Sequence, residues 1–125
     1  MSARNRIVPP LCALVLLASC DVCSDNQVSH SDSPDHQLVA NVYERNCGAT
    51  TDFSSIVNLQ NVSEKFNGNE DQLFIAKGRY SISVEWKSPR LLVINCQDCS
   101  RQNIFREVTA LGDIDVSYML ASTSK

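Results

Sequence analysis

From Gln37 onward the chain is divided into short apolar runs separated by turn residues, and the clearest runs alternate at every second position. Tyr80, Ile82, Val84 and Trp86 alternate with Ser81, Ser83 and Glu85, while Ile114, Val116, Tyr118 and Leu120 alternate with Asp115, Ser117 and Met119. A repeat of two places successive side chains on opposite faces of an extended backbone, so each run predicts a half-buried strand. Leu91–Cys96 is almost continuously apolar and predicts a more central strand. Leu38–Tyr43, Phe53–Leu59, Leu73–Ala76 and Ile104–Val108 complete the set.

Breakers stand between these runs at Asn67-Gly68-Asn69, Lys77-Gly78, Lys87-Ser88-Pro89-Arg90 and Leu111-Gly112-Asp113. The turn at 87–90 is short enough to pair Tyr80–Trp86 with Leu91–Cys96 as an antiparallel hairpin. Helical periodicity is absent beyond residue 19. The expectation is an all-β domain over residues 37–121, with about six or seven antiparallel strands in a meander closing into a small sandwich or barrel. Ser33-Pro34-Asp35 before Leu-Val-Ala and Trp86-Lys87-Ser88-Pro89 before Leu-Leu-Val-Ile share a turn-then-strand layout with propeller blades. A propeller needs about four blades of about 40 residues each, so here the layout reads as a repeated hairpin.

The N-terminal region follows a different pattern. Arg4 and Arg6 precede an apolar run, Leu11–Ala18, that is too short to cross a bilayer as a permanent helix and reads as a signal h-region. Leu17-Ala18-Ser19-Cys20 has the form of a bacterial lipoprotein cut site. Small Ala18 and Ser19 admit a peptidase, and the Cys20 thiolate is the nucleophile that takes the lipid; bulky Leu17 fits an ordinary signal-peptidase site poorly. Residues 1–19 are therefore expected to be a cleaved signal peptide, and residues 20–36, rich in Asp, Ser, Asn and His, a lipidated flexible tether. Asp21 matches the signal that retains enterobacterial lipoproteins in the inner membrane, so the expected address is that membrane, facing the periplasm.

Charge and cysteine usage agree with this address. Losing Arg4 and Arg6 makes the net charge of −3 more negative by two. A chain so acidic, without a Lys/Arg cluster, is poorly suited to binding nucleic acid or to docking on a membrane by charge alone. The attached lipid then carries the anchoring, at about 0.8 kcal/mol per buried methylene. Of the six cysteines, Cys12 leaves with the signal and Cys20 is lipidated. Cys23, Cys47, Cys96 and Cys99 remain as disulfide candidates in an oxidising compartment, with three pairings open.

The densest polar stretch is Glu44-Arg45-Asn46-Cys47-Gly48-Ala49-Thr50-Thr51-Asp52, between two predicted strands. Together with Ser33-Pro34-Asp35, Val57-Asn58-Leu59 and Val84-Glu85-Trp86-Lys87-Ser88-Pro89, it resembles a family of small bacterial exported proteins and lipoproteins with no assigned activity. The likeness spans roughly residues 33–120 and implies a β-domain in the envelope; Cys96-x-x-Cys99 falls outside the shared layout.

Enzymatic chemistry finds little support in the sequence. Cys47 as a nucleophile would need His30 or His36 as its base, and both lie in or beside the expected tether. Cys96-x-x-Cys99 lacks a second ligand pair for zinc, and it follows a strand rather than opening a helix as a thioredoxin-like pair would, so a structural disulfide is favoured. The expected protein is not an enzyme, needs no cofactor or metal, and acts as a lipid-anchored binding or structural accessory of the envelope with an envelope protein as partner. Glu44, Arg45, Asn46, Thr50, Thr51 and Asp52 form the candidate binding loop. Two alternatives stand beside it. One is a periplasmic lysozyme inhibitor, which would share the size, lipid, disulfides and all-β fold but whose Ser-Gly-x-x-Tyr pattern is only approached by Lys77-Gly78-Arg79-Tyr80. The other is a thiol-disulfide redox protein using Cys96 and Cys99.

Overall fold

The computed structural model describes residues 23–48 and 52–120; the signal region, Cys20, Thr50 and Thr51 lie outside them. Among the described residues nine strands, rather than the six or seven expected, form two sheets packed face to face: β1 (Ser24–Asp32), β2 (Leu38–Asn46), β3 (Ser54–Asn61), β4 (Gln72–Lys77), β5 (Ser83–Ser88), β6 (Leu91–Cys96), β7 (Ile104–Glu107), β8 (Ala110–Leu111) and β9 (Ile114–Leu120). One sheet has the order β1-β2-β3-β4-β7 and the other β5-β6-β9-β8. The all-β expectation holds, and the form is an open sandwich rather than a closed barrel.

Both alternating runs fall on the second sheet: Ile114–Leu120 is strand β9 in full, whereas of Tyr80–Trp86 only the part from Ser83 is strand, in β5, and Tyr80–Ile82 precede it. Ile114 and Val116 of β9 point inward with Leu92, Ile94 and Cys96 of β6, against Ala40, Val42, Val57, Leu59, Phe74 and Ala76 of the other sheet. The hairpin of β5 and β6 pairs antiparallel, with Trp86 opposite Leu92. β6 is central, as its apolar run predicts.

The meander is broken wherever the chain changes sheet, after β4, after β6 and after β7, and one pairing is not antiparallel. β6 pairs parallel with β9, Leu92 opposite Val116. After β6 the chain crosses to the first sheet to add β7 beside β4, then returns through β8 to β9. A parallel pair requires such a crossover connection, which local turn signals do not reveal.

The flexible tether expected over residues 20–36 is overturned within the described residues. Ser24–Asp32 is a nine-residue edge strand, paired with β2 from Ser24 opposite Asn46 to Asp32 opposite Val39. Most of its side chains are exposed, so it folds without the apolar alternation that marks the other strands. It is held by backbone pairing, by the Cys23–Cys47 disulfide and by a tight turn. In that turn the His36 amide donates to the Ser33 carbonyl, Ser33 Oγ donates to Asp35 Oδ1 at 2.7 Å, and Leu38 N donates to Ser33 Oγ. A bulge at Val28, between Gln27 and Ser29, interrupts the register. Bulges and polar side chains on an exposed edge discourage unwanted strand pairing.

Candidate functional site

β1 and β5 are each an edge strand, β7 and β8 being the opposite edges, and they lie on the same side of the sandwich. Toward the Ser33 end this side is closed: the Trp86 indole Nε1 donates to the Ser31 carbonyl of β1 at 2.9 Å. Toward the other end the sheets part, leaving a cleft of about 550 Å³, within the range of ~300–1,000 Å³ typical of ligand sites.

The strand period explains the character of the cleft. On β2 the inward positions are Ala40, Val42 and then Glu44; on β3 they are Leu59, Val57 and then Ser55, opposite Glu44. The inner face therefore changes from apolar to polar at the mouth. Val28, Val42 and Ile82 give the cleft apolar walls, and Ser83, Asn95, Gln97 and Asp98 give it a polar rim. Gln97 and Asp98 are carried by the turn closed by the Cys96–Cys99 disulfide.

Charge at the mouth is organised around Glu44. Its carboxylate lies 3.3 Å from Arg79 Nη2, and the Glu44 side chain is only 18% exposed, against 63% for Arg79. The Arg79 guanidinium also stands over the Phe53 ring, 4.6 Å from its centroid, a favourable cation–π placement. Gly78 holds the turn behind this pair. Its φ of +124° disfavours a side chain, and an added Cβ would press on the Tyr80 ring at 3.0 Å. Ser55 Oγ donates to the Gly78 carbonyl at 2.7 Å and accepts from Tyr80 N, which fixes Tyr80 beside the opening. The Tyr80 hydroxyl accepts from Asn103 Nδ2.

The six residues expected to form one binding loop are distributed differently. Glu44, Arg45 and Asn46 belong to strand β2, not to a loop. Glu44 faces the cleft, whereas Arg45 points to the opposite face of the sheet. There Arg45 forms a two-pronged ion pair with Asp25, at 2.7 and 2.9 Å, and also donates to the Gly68 carbonyl and to Asn69. The bonded Asp25 raises the Arg45 pKa. Asn46 accepts from Gly48 N. Asp52 sits 3.6 Å from Lys77 in an exposed ion pair. Thr50 and Thr51 lie outside the described residues.

The face to which Arg45 points is covered by the segment 62–71. Tyr43 is fully buried there, its hydroxyl donating to the Gly68 carbonyl and its ring meeting Phe66 edge-on at 5.1 Å. An alanine at Gly68 would place its Cβ 2.1 Å from Asp25 Oδ2 and so push that carboxylate off its pairing with Arg45. Asn41, Asn58 and Gln60 complete a buried amide cluster: Asn41 Nδ2 donates to Asn58 Oδ1 and Gln60 Oε1, and Asn58 Nδ2 donates to the Asn67 carbonyl.

Both disulfides are formed, Cys23–Cys47 and Cys96–Cys99. Cys96 and Cys99 are buried members of the hydrophobic core. Reactive thiol pairs sit in accessible, electropositive surroundings, so this burial favours a structural staple. Among the described residues, no group of three or more His, Cys, Asp or Glu is arranged to hold a metal ion.

Comparison with known proteins adds no relative. No protein-family model, curated protein or solved structure matches the chain. Of the cleft lining, Glu44 is the one residue that belongs to the candidate binding loop of the sequence; Val28, Ser55, Asn95, Gln97 and Asp98 do not. The available signal was the polar residue ending each inward-facing series, Glu44 after Val42 and Ser55 after Val57, because a polar position on a core-facing parity marks a mouth rather than a core.

Proposed function

We propose that this chain is a lipid-anchored envelope binding module, held by Cys20 in a bacterial inner membrane, that takes an extended peptide segment of a partner protein in the cleft between β1 and β5. The lipobox form of Leu17–Cys20 and the acidic Asp21 support the address. The open seam between two edge strands carries the binding reading. The unpaired edge of β5 offers main-chain hydrogen-bonding groups to an added strand, while β1, whose bulge discourages pairing, contributes Val28 to the adjoining apolar cleft that selects side chains. Val28, Val42 and Ile82 suit one apolar side chain; Glu44 and Asp98 favour a neighbouring Lys or Arg on the peptide.

The test uses a disulfide-intact domain and a displayed peptide library. Selected peptides should be apolar and basic, and on binding they should shift the amide resonances of Val28, Ser55 and Ser83 while leaving Asp113 unmoved. Glu44→Gln should weaken the basic peptides most. Selection that yields no binder, or binders that shift only the Asp113 end, would refute the reading.

A further inference from the structure

The covalent path from Cys20 to the folded domain determines which end of the sandwich meets the membrane. Cys23 is bonded to Cys47, and β1 is paired with β2 from Ser24 onward. Three residues of chain reach at most about 11 Å, so a lipid on Cys20 holds the Cys23–Cys47 end against the headgroups. The inference rests on the lipid anchoring proposed above.

We infer that the domain docks on an anionic bilayer by its Cys23–Cys47 end, with Lys77 and Arg79 at the headgroups and the Ser33 and Gly112 turns directed away. The register puts Lys77 at this end, opposite Ser54 at the start of β3. Lys77 and Arg79 have half or more of their side chains exposed. With partners Asp52 and Glu44, the Arg45–Asp25 and Arg101–Glu107 pairs and Asp98 on the rim, they leave this end close to neutral. The far end carries Asp32, Asp35, Glu64, Glu70, Asp71, Asp113 and Asp115 against Lys65 and Arg90, with Lys87 paired to Glu85. An anionic surface therefore repels one end and tolerates the other, orienting the sandwich in the sense the lipid already imposes. A nine-residue strand extends about 30 Å, which places the far turns several Debye lengths from the headgroup charge. The cleft mouth at Glu44 and Arg79 then opens beside the bilayer, so the partner peptide would be a juxtamembrane segment.

Amine footprinting of the native chain tests this orientation. The full-length lipoprotein, purified from membranes, is placed in vesicles of phosphatidylethanolamine and phosphatidylglycerol and labelled with a water-soluble acylating reagent. Rates at individual lysines are compared with those in detergent micelles. Lys77 should slow by about fivefold relative to Lys65 and Lys87, the worth of one cation held at an anionic surface. Equal rates at Lys77 and Lys65, with a lipid adduct on Cys20 confirmed by intact mass, would overturn the docking orientation while leaving the anchor in place. An intact mass without lipid on Cys20 would overturn the anchoring reading itself.

Discussion

The two faces of the β1-β2-β3-β4-β7 sheet are both buried, but by different physical means. The inner face meets the second sheet through Ala40, Val42, Val57, Phe74 and Ala76, an apolar contact without directional requirements. The outer face meets segment 62–71 through Tyr43, Asn58, Gln60 and Arg45, with Asn41 bracing the two amides from within the sheet, and most of these contacts are hydrogen bonds with defined partners. Apolar burial supplies stability and tolerates small shifts; a buried amide gains little when paired and costs much when orphaned. The inner face thus holds the sandwich together, and the outer face determines where segment 62–71 and the edge strand β1 lie.

Phe74→Ala should show the largest effect. Phe74 is fully buried and stacks on Tyr118, with ring centroids 5.6 Å apart. Removing a phenyl ring from a packed core costs about 3–5 kcal/mol, measurable as a lower urea midpoint across the whole domain. A loss near that of an outer-face substitution would erase the distinction between the faces. The paired change Cys23→Ser with Cys47→Ser comes next, at about 3 kcal/mol for a loop of this length. Its effect should be local before it is global. Amide exchange in β1 should accelerate while the β3 and β4 amides stay protected, because β1 shares few apolar contacts with the core.

This second prediction concerns the segment that sequence reasoning placed worst. Inner faces are legible because a period of two is written directly in the residues of β5 and β9, and because β6 is an almost unbroken apolar run. β1 is not, since Ser24–Asp32 is a polar edge whose fold depends on a neighbour, a disulfide and the Ser33 turn rather than on its own apolar pattern. Asn67-Gly68-Asn69 is visible as a turn, but nothing local says that it lies over Tyr43. The parallel pairing of β6 with β9 is likewise a tertiary fact. At the candidate site, Glu44 was visible as a polar residue of interest, yet the cleft is assembled from β1, β2, β5 and the Cys96–Cys99 turn, which no single stretch of sequence displays together.

Asn58→Ala tests the outer face directly. It removes an amide that accepts from Asn41 and donates to the Asn67 carbonyl. The cost expected is about 2 kcal/mol, from partners left buried without a bond. Exchange should rise first in segment 62–71, with the β6 and β9 amides unaffected. Loss of protection throughout both sheets would show that the amide cluster is part of the core and not a separate device for placing the loop.

The smallest effect separates the faces by pH. Tyr43 on the outer face and Tyr118 on the inner face both have pKa values raised above the usual 10.0, in each case chiefly by burial. Arg45 and the hydrogen bond from Gln72 work against the rise at Tyr43. At Tyr118, Glu107 adds to it, and the shift is large. A raised folded-state pKa means that the native protein holds the phenol proton more tightly than the unfolded chain does. The resulting stability is complete below about pH 10 and is lost as pH climbs from there through the folded-state values. Unfolding midpoints should therefore fall on the alkaline side of pH 10. Tyr118→Phe should flatten that decline more than Tyr43→Phe, because the larger shift resides on the inner face. Equal flattening would mean that both phenols are governed by burial alone and that Arg45 does not reach Tyr43 electrostatically; a steeper decline in either variant would contradict the direction of the shifts.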